Sequence, residues 1–292
     1  GVQTCALPIS DDRSQRIHGG TSPGGQHTDD RNHRCRCVEN GLALPALLPP
    51  LFAQWFASRG WAPRAHQLAL LGHAQEGRST LLVAPTGAGK TLAGFLPSLV
   101  ELAEQPRNAP GGGLHTLYIS PLKALAVDIA RNLETPAREM ALDLRIETRT
   151  GDTSAHKKAR QKTSPPDILL TNFMMLEYLM TRQDAVDQDV IRHCHDLEYL
   201  VLDELHTYRG RQGADVALLV RRIRALLSPR GLRCIGTSAT MASGSDEARR
   251  EAVARVASSL FGTEVAPTDV IGETLIRATA QDQSADTVKA QL

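Results

Sequence analysis

Three short clusters in this chain carry residue types suited to phosphate and metal chemistry. The first is Ala84-Pro85-Thr86-Gly87-Ala88-Gly89-Lys90-Thr91. It follows the apolar run Leu81-Leu82-Val83 and precedes Leu92-Ala93-Gly94-Phe95-Leu96. That order reads as strand, tight loop, helix. A glycine-rich loop lets backbone N–H groups close around phosphate oxygens, and the helix behind it turns its positive N-terminal end to the same oxygens. Lys90 can then reach the β- and γ-phosphates, and the Thr91 hydroxyl can ligate Mg2+. The second cluster, Asp203-Glu204-Leu205-His206, follows the apolar run Tyr199–Leu202. Asp203 can hold Mg2+ directly or through water, and Glu204 can accept a proton from an attacking water. The third, Ser238-Ala239-Thr240, offers two hydroxyls able to bond the acid pair and sense a γ-phosphate. Taken singly, each cluster also reads as an ordinary loop: a glycine turn, an acidic turn, a Ser/Thr turn. Their succession, each after an apolar run, favours nucleotide chemistry.

The elements that must position these clusters alternate. Candidate strands are Thr80–Val83, Thr116–Ile119, Arg145–Glu147, Ile168–Leu170, Tyr199–Leu202 and Cys234–Gly236, with helices after Lys90, after Pro121, after Asn172 and along Ala214–Leu227. The strands are short and apolar throughout, as in a sheet covered on both faces. Alternating strands and helices around a phosphate loop predict an α/β fold with a doubly wound, mostly parallel sheet. In that setting Ala84 to Thr91 is a Walker A loop with Ala84 in place of the usual first glycine, and Asp203-Glu204 is a Walker B pair. Upstream, Pro49-Pro50 opens a helix whose Leu51, Phe52, Trp55 and Phe56 share one face, and a second helix runs from about Pro63 to Gln75. Pro106 to Gly113 reads as a loop, and Asp246–Leu260 as a late helix.

The 292 residues suffice for one large domain, and a hydrophobic share of 41% supports a sizeable core. Aromatics make up only 4%, so aliphatic side chains must fill it. Lys and Arg total 33 against 32 acids, so any nucleic-acid surface must be local. The cysteines Cys5, Cys35, Cys37, Cys194 and Cys234 form no C-x-x-C pair. Cys35-Arg36-Cys37 beside His33 lacks the second ligand pair that a structural zinc site needs. Isolated cysteines and the lack of a long apolar run point to a cytoplasmic protein with no membrane span. Residues 1–43 read as a disordered leader, and their first ten resemble a translated sequencing adapter. Residues 44–265 form the domain, and residues 266–292 read as a linker toward a second lobe.

The three clusters in this order resemble a superfamily 2 helicase, and Asp-Glu-x-His places the resemblance among DExH enzymes. Other segments then match. Pro63 and Gln67 resemble the glutamine motif, which implies that Gln67 reads adenine. Ser120-Pro121-Leu122-Lys123 resembles motif Ia, Thr150-Gly151-Asp152 the TGD segment, and Thr171-Asn172 the start of motif Ib. The resemblance implies that Pro121, Lys123, Thr150, Gly151 and Thr171 contact a nucleic-acid backbone. It implies that His206 couples the ATP site to a second lobe, and that Ser238 and Thr240 link hydrolysis to strand movement. ATP and Mg2+ are the implied cofactors, and DNA is favoured over RNA as the partner. Up to about residue 170 the chain resembles ligase-associated, large-helicase-related DNA repair enzymes. From Asn172 it resembles a DEAD/DEAH-box family with a DELHTYRG box, so a junction of two related genes is expected near Pro165–Thr171.

The resemblance also implies two RecA-like lobes. Arg249, Arg250 and Arg255 follow the third cluster, yet nothing there resembles the family's final arginine motif. The lobe alone is therefore expected to bind ATP weakly, to hydrolyse it very slowly and not to unwind a duplex. An RNA helicase lobe and a non-catalytic nucleic-acid-binding module remain alternatives. A transporter ATPase is disfavoured by the lack of an LSGGQ-like segment. Four smaller expectations complete the reading. Tyr208 and Arg209 either contact DNA or pack the next helix. Arg221, Arg222 and Arg224 form a solvated basic face. Met174, Met175 and Met180 fill the core. His193-Cys194-His195 is loop chemistry.

Overall fold

The computed structural model describes residues 47–105, 113–227, 231–239 and 245–272. Thr240, the leader with Cys5, Cys35 and Cys37, residues 106–112 and residues 273–292 lie outside them. The described residues hold seven strands: β1 (Thr80–Val83), β2 (Thr116–Ser120), β3 (Ile146–Arg149), β4 (Ile168–Asn172), β5 (Tyr199–Leu202), β6 (Arg233–Ser238) and β7 (Val270–Gly272). They form one sheet in the order β3-β4-β2-β5-β6-β1-β7, and every neighbouring pair is parallel.

Helices cover both faces, and the period-two alternation of each strand decides which residues each face receives. On one face Leu82, Tyr118, Leu170, Val201 and Ile235 pack with α1 (Pro50–Ser58), α2 (Ala65–Gln75), α3 (Lys90–Glu104) and α4 (Lys123–Glu139), through Phe52, Leu70, Phe95, Leu99 and Ile129. On the other, Leu81, Leu117, Ile119, Leu200 and Leu202 meet α6 (Phe173–Thr181), α7 (Ala185–Arg192), α8 (Gly210–Leu227) and α9 (Asp246–Phe261), through Leu176, Val190, Val216, Val220 and Phe261. Each such buried side chain contributes about 1.5–3 kcal/mol. Between β3 and β4 lies the short α5 (Ala155–Thr163), whose N-terminus is capped by the Ser154 hydroxyl.

The connectivity creates the site. The chain leaves β1 through α3 and reaches β2 only beyond β6 and β5. The carboxyl ends of β1 and β5 therefore flank the place where strand order reverses, which is where doubly wound sheets open a ligand crevice. The turns carrying Lys90 and Asp203 sit at one rim, with β6 between their strands.

Several expectations change. β6 runs to Ser238, so that residue belongs to the strand. β3 starts at Ile146 and reaches Arg149. Residues 267–272, read as linker, belong to the domain: β7 pairs with β1, and Asp269 just before it bonds Arg78 at the entry to β1. Leu51 leaves the shared face of α1 and is 40% exposed, because it lies one residue before Phe52 and thus about 100° round the helix. Met174 is likewise exposed on α6 instead of filling the core.

Candidate nucleotide-binding site

The phosphate loop is built from α2 as well as from its own glycines. Gly87 and Gly89 take left-handed backbone with φ 82° and 73°, which side-chain-bearing residues rarely adopt. A Cβ on Gly89 would come within 3.1 Å of the Gln67 amide nitrogen. The buried His66 Nε2 lies 3.0 Å from the Ala88 carbonyl. Gln67 Oε1 accepts the Arg64 N–H at 2.9 Å, which fixes the start of α2. Ala84 is buried and donates its N–H to the Ser238 carbonyl at 3.0 Å, so alanine fits where glycine is usual. The loop thus bridges β1, β6 and α2. Pro85 accepts the Ala88 N–H at 3.2 Å and closes the turn. Thr86, Gly87, Gly89, Lys90, Thr91, Gln67, Asp203 and Glu204 line one cleft of about 360 Å³. Trp61 and Arg64 border it too, together with Asp128 and Asn132 on α4.

Charge at this rim is not internally balanced. The Lys90 ammonium is buried and makes no hydrogen bond; Glu204 Oε1 stands 3.7 Å away. Asp203 is buried with both carboxylate oxygens engaged: Tyr118 donates its hydroxyl to Oδ2 and Thr237 donates to Oδ1. Burial first, and the Asp203 charge second, push the Tyr118 phenol well above its ordinary range, so it stays a neutral donor. Tyr208 is raised for the same two reasons. Glu204 adopts left-handed backbone, φ 50° and ψ 51°, and donates its N–H to the Thr237 hydroxyl at 3.3 Å. His206 Nδ1 lies 3.2 Å from Glu204 Oε2, 3.5 Å from Ser238 Oγ and 3.4 Å from the Ala239 N–H. One ring nitrogen cannot donate to the carboxylate and accept from the amide at once, so the bond it makes follows its proton.

The candidate donors for a divalent cation are hard oxygens, the Thr91 hydroxyl and the Asp203 carboxylate, which suit Mg2+. The buried, unbonded ammonium of Lys90 and the cradle that a Cβ on Gly89 would fill suit a polyphosphate.

The predicted nucleic-acid residues divide. Lys123, Thr150, Asp152, Thr153 and Lys157 share a second cleft of about 350 Å³ beside the β2 and β3 ends. Lys123 Nζ bonds Asp152 at 2.8 Å, with both side chains exposed, and Gly151 is open. Pro121 closes β2 next to this cleft, half-buried. Thr171, expected at a nucleic-acid backbone, lies inside β4, fully buried, and its hydroxyl is donated to the Arg149 carbonyl at 2.7 Å, so that hydroxyl braces the sheet. Thr150 is buried as well, with its N–H given to Thr153. Asn172 caps α6 by accepting the Met175 N–H. Tyr208 is buried and packs edge-on against Phe173. The basic face on α8 is only partly solvated: Arg222 pairs with Glu177, and Arg224 bonds the Phe261 carbonyl and Cys234 Sγ.

Tyr118, Thr237 and His66 were missed by motif reading. Two of them carried a signal: Tyr118 is the lone phenol in the apolar run of β2, and Thr237 directly precedes Ser238. The acid pair takes its hydroxyl from Thr237, one residue before the triplet that was expected to supply it.

An all-parallel sheet with a glycine-rich loop after one strand and an acid pair after another, joined at one rim, defines a P-loop nucleotide-binding domain. The DEAD/DEAH box helicase family matches residues 64–248, and the chain belongs to that family. It is 38% identical over 221 residues to the Lhr helicase/uracil glycosylase of Escherichia coli, covering 70% of this chain and 14% of that protein. The solved structure of the DUF1998 helicase MrfA bound to DNA superposes with a TM-score of 0.65 at 28% identity, over 78% of this chain and 30% of that one. Mycobacterium smegmatis Lhr bound to ssDNA and AMP-PNP gives 0.64 at 31% identity, over 79% and 28%. The region is the ATP-binding, RecA-like lobe of a superfamily 2 helicase, and the chain spans about a seventh of the E. coli relative.

Proposed function

We propose that this lobe binds ATP with Mg2+ and hydrolyses it in response to nucleic acid, as half of a DNA translocase. The observation that carries the reading is the buried, unbonded Lys90 ammonium facing Glu204 across a cleft at the sheet's switch point. Lys90 meets the β- and γ-phosphates, and backbone N–H groups of the loop other than that of Ala88, which Pro85 takes, surround them. Thr91 and Asp203 would hold Mg2+, which when bound neutralises developing phosphate charge. Glu204 Oε takes the proton of the attacking water. Gln67 and Trp61 border the space for the base. His206 and Ser238 tie the acid pair to the end of β6, where a second lobe can sense hydrolysis. Lys123, with Gly151 beside it, grips a phosphate backbone in a salt-sensitive manner.

DNA is favoured because both MrfA and the mycobacterial Lhr were solved with DNA. RNA is the alternative substrate, since backbone contacts alone do not read the 2′-hydroxyl. Competition between matched single-stranded DNA and RNA, read by fluorescence anisotropy, separates the two, and preferential RNA binding overturns the DNA reading. Glu204→Gln should lower nucleic-acid-stimulated hydrolysis about 10²–10⁴-fold while nucleotide affinity holds. Undiminished turnover would remove Glu204 as the base.

A further inference from the structure

We propose that Tyr118 is a positioning residue for the divalent cation: its phenol and the Thr237 hydroxyl clasp the Asp203 carboxylate from two neighbouring strands and orient it toward the metal of the bound nucleotide. The proposal rests on the nucleotide-binding reading above and assigns work to two side chains outside the recognised motifs.

The geometry is a closed chain of donors. Tyr118 stands on β2 in register with Val201 of β5, two residues before Asp203. Its hydroxyl therefore reaches sideways along the sheet to Asp203 Oδ2. Thr237 stands on β6 at the other side of β5 and donates to Oδ1, while its oxygen accepts the Glu204 N–H at 3.3 Å. The Asp203 N–H is held by the Ile119 carbonyl at 3.0 Å. Each carboxylate oxygen has two lone-pair directions. One on each is taken by a hydroxyl, so the remaining pair is fixed in direction before any cation arrives, which is how supporting donors tune a metal ligand. The Tyr118 ring is buried and stacks on Phe95 at 5.2 Å and 28°. Phe95 belongs to α3, the helix that begins at Lys90. The phenol thereby ties the acid's orientation to the helix that carries the phosphate loop.

Tyr118→Phe removes one oxygen and keeps the ring that stacks on Phe95. The measurement is Mn2+ binding to the 292-residue chain with a non-hydrolysable ATP analogue, read by loss of the free-ion EPR signal. A fluorescent-nucleotide titration in EDTA runs alongside it. Loss of one hydroxyl from a charged acceptor should weaken Mn2+ about tenfold or more. Metal-free nucleotide affinity should stay within twofold. Thr237→Val should behave in the same way, and Thr237→Ser, which keeps a hydroxyl, should restore Mn2+ affinity. That serine rescue decides the question even if Tyr118→Phe lowers the melting temperature. Equal Mn2+ affinity in Tyr118→Phe, Thr237→Val and the parent overturns the clasp while leaving nucleotide binding intact. If the parent chain takes up neither nucleotide in EDTA nor nucleotide-dependent Mn2+, the nucleotide-binding reading itself fails and the clasp with it.

Discussion

The sheet has two rims, and both carry charge in a cavity. At the amino ends of β2, β5 and β6, a cavity of about 400 Å³ is lined by Glu101, His115, Glu198, Tyr199 and Arg233. Here every group is answered. Arg233 makes a two-pronged bond to Glu101, reaches Glu198 at 3.2 Å and the Ala74 carbonyl at 3.2 Å, and lies 4.0 Å over the Tyr199 ring. Tyr199 donates to Glu101 at 2.6 Å, and His115 stands 3.4 Å from the same carboxylate. At the carboxyl ends, by contrast, the Lys90 ammonium is buried without a hydrogen bond. The two rims have similar residue types and similar volumes. What separates them is unmet bonding capacity: the first cluster closes on itself and holds α3 to the sheet, while in the second the Lys90 ammonium has the Glu204 carboxylate at 3.7 Å but no hydrogen bond.

That contrast can be tested from both sides. The largest effect belongs to Lys90→Ala, which removes two charge-assisted contacts of about 1.5–3 kcal/mol each. ATP affinity should fall by roughly 10²–10⁴ at about 1.4 kcal/mol per decade, as read by a fluorescent analogue, with the melting temperature hardly changed. Affinity within a few-fold of the parent would erase the distinction between the rims. Glu101→Gln should do the reverse. It strips a hub of its charge and should lower stability by about 1–3 kcal/mol, or about 2–12 °C in Tm at this size, while ATP affinity stays within twofold. A tenfold loss of ATP binding in that variant would mean that the amino-end rim is functional after all.

A pH titration sharpens the point. Burial alone would raise the Glu101 carboxyl, but the bonds from His115, Arg233 and Tyr199 outweigh it and hold the group down at about 2. A carboxylate depressed in the folded state adds stability above its unfolded value near 4.5 and loses it as pH falls toward 2. The parent should therefore shed stability across that window in acid melts, and Glu101→Gln should shed less. Lys123→Ala gives the smallest effect. Its exposed pair with Asp152 is worth little to the fold, so stability should not move, while the salt dependence of single-strand binding should lose about 0.7 in slope. An unchanged slope would take Lys123 out of the nucleic-acid contact.

Much of this was legible in the sequence because the signals were local. Strand, glycine loop and helix around Lys90, and an apolar strand ending in Asp203-Glu204, need only short-range order to be recognised. The succession of six strands along the chain followed from the same alternation, though not their order in the sheet. What escaped reading depends on register between distant segments. Nothing in Leu117-Tyr118-Ile119 says that the phenol will lie beside residue 203, since this requires β2 and β5 to pair with Tyr118 opposite Val201. Thr171 misled for a related reason: a strand-end hydroxyl offers itself to a ligand only if the strand stops there, and β4 runs one residue further beside β2. β7 escaped because three residues hold too little pattern to reveal a strand.

The left-handed backbone at Glu204 has a consequence for the order of the two acids. In an extended chain, successive side chains turn to opposite sides, so adjacent acids in a strand would be sent apart. The twist at Glu204 cancels that divergence and lets two sequence neighbours line one cleft. It imposes a standing strain of about 1–3 kcal/mol and shuts the position to β-branched replacements. Exchanging the two residue types, Asp203→Glu together with Glu204→Asp, keeps both charges yet shortens the reach of the one at the twist. Acid content alone does not define this motif; the handedness of a single peptide unit does.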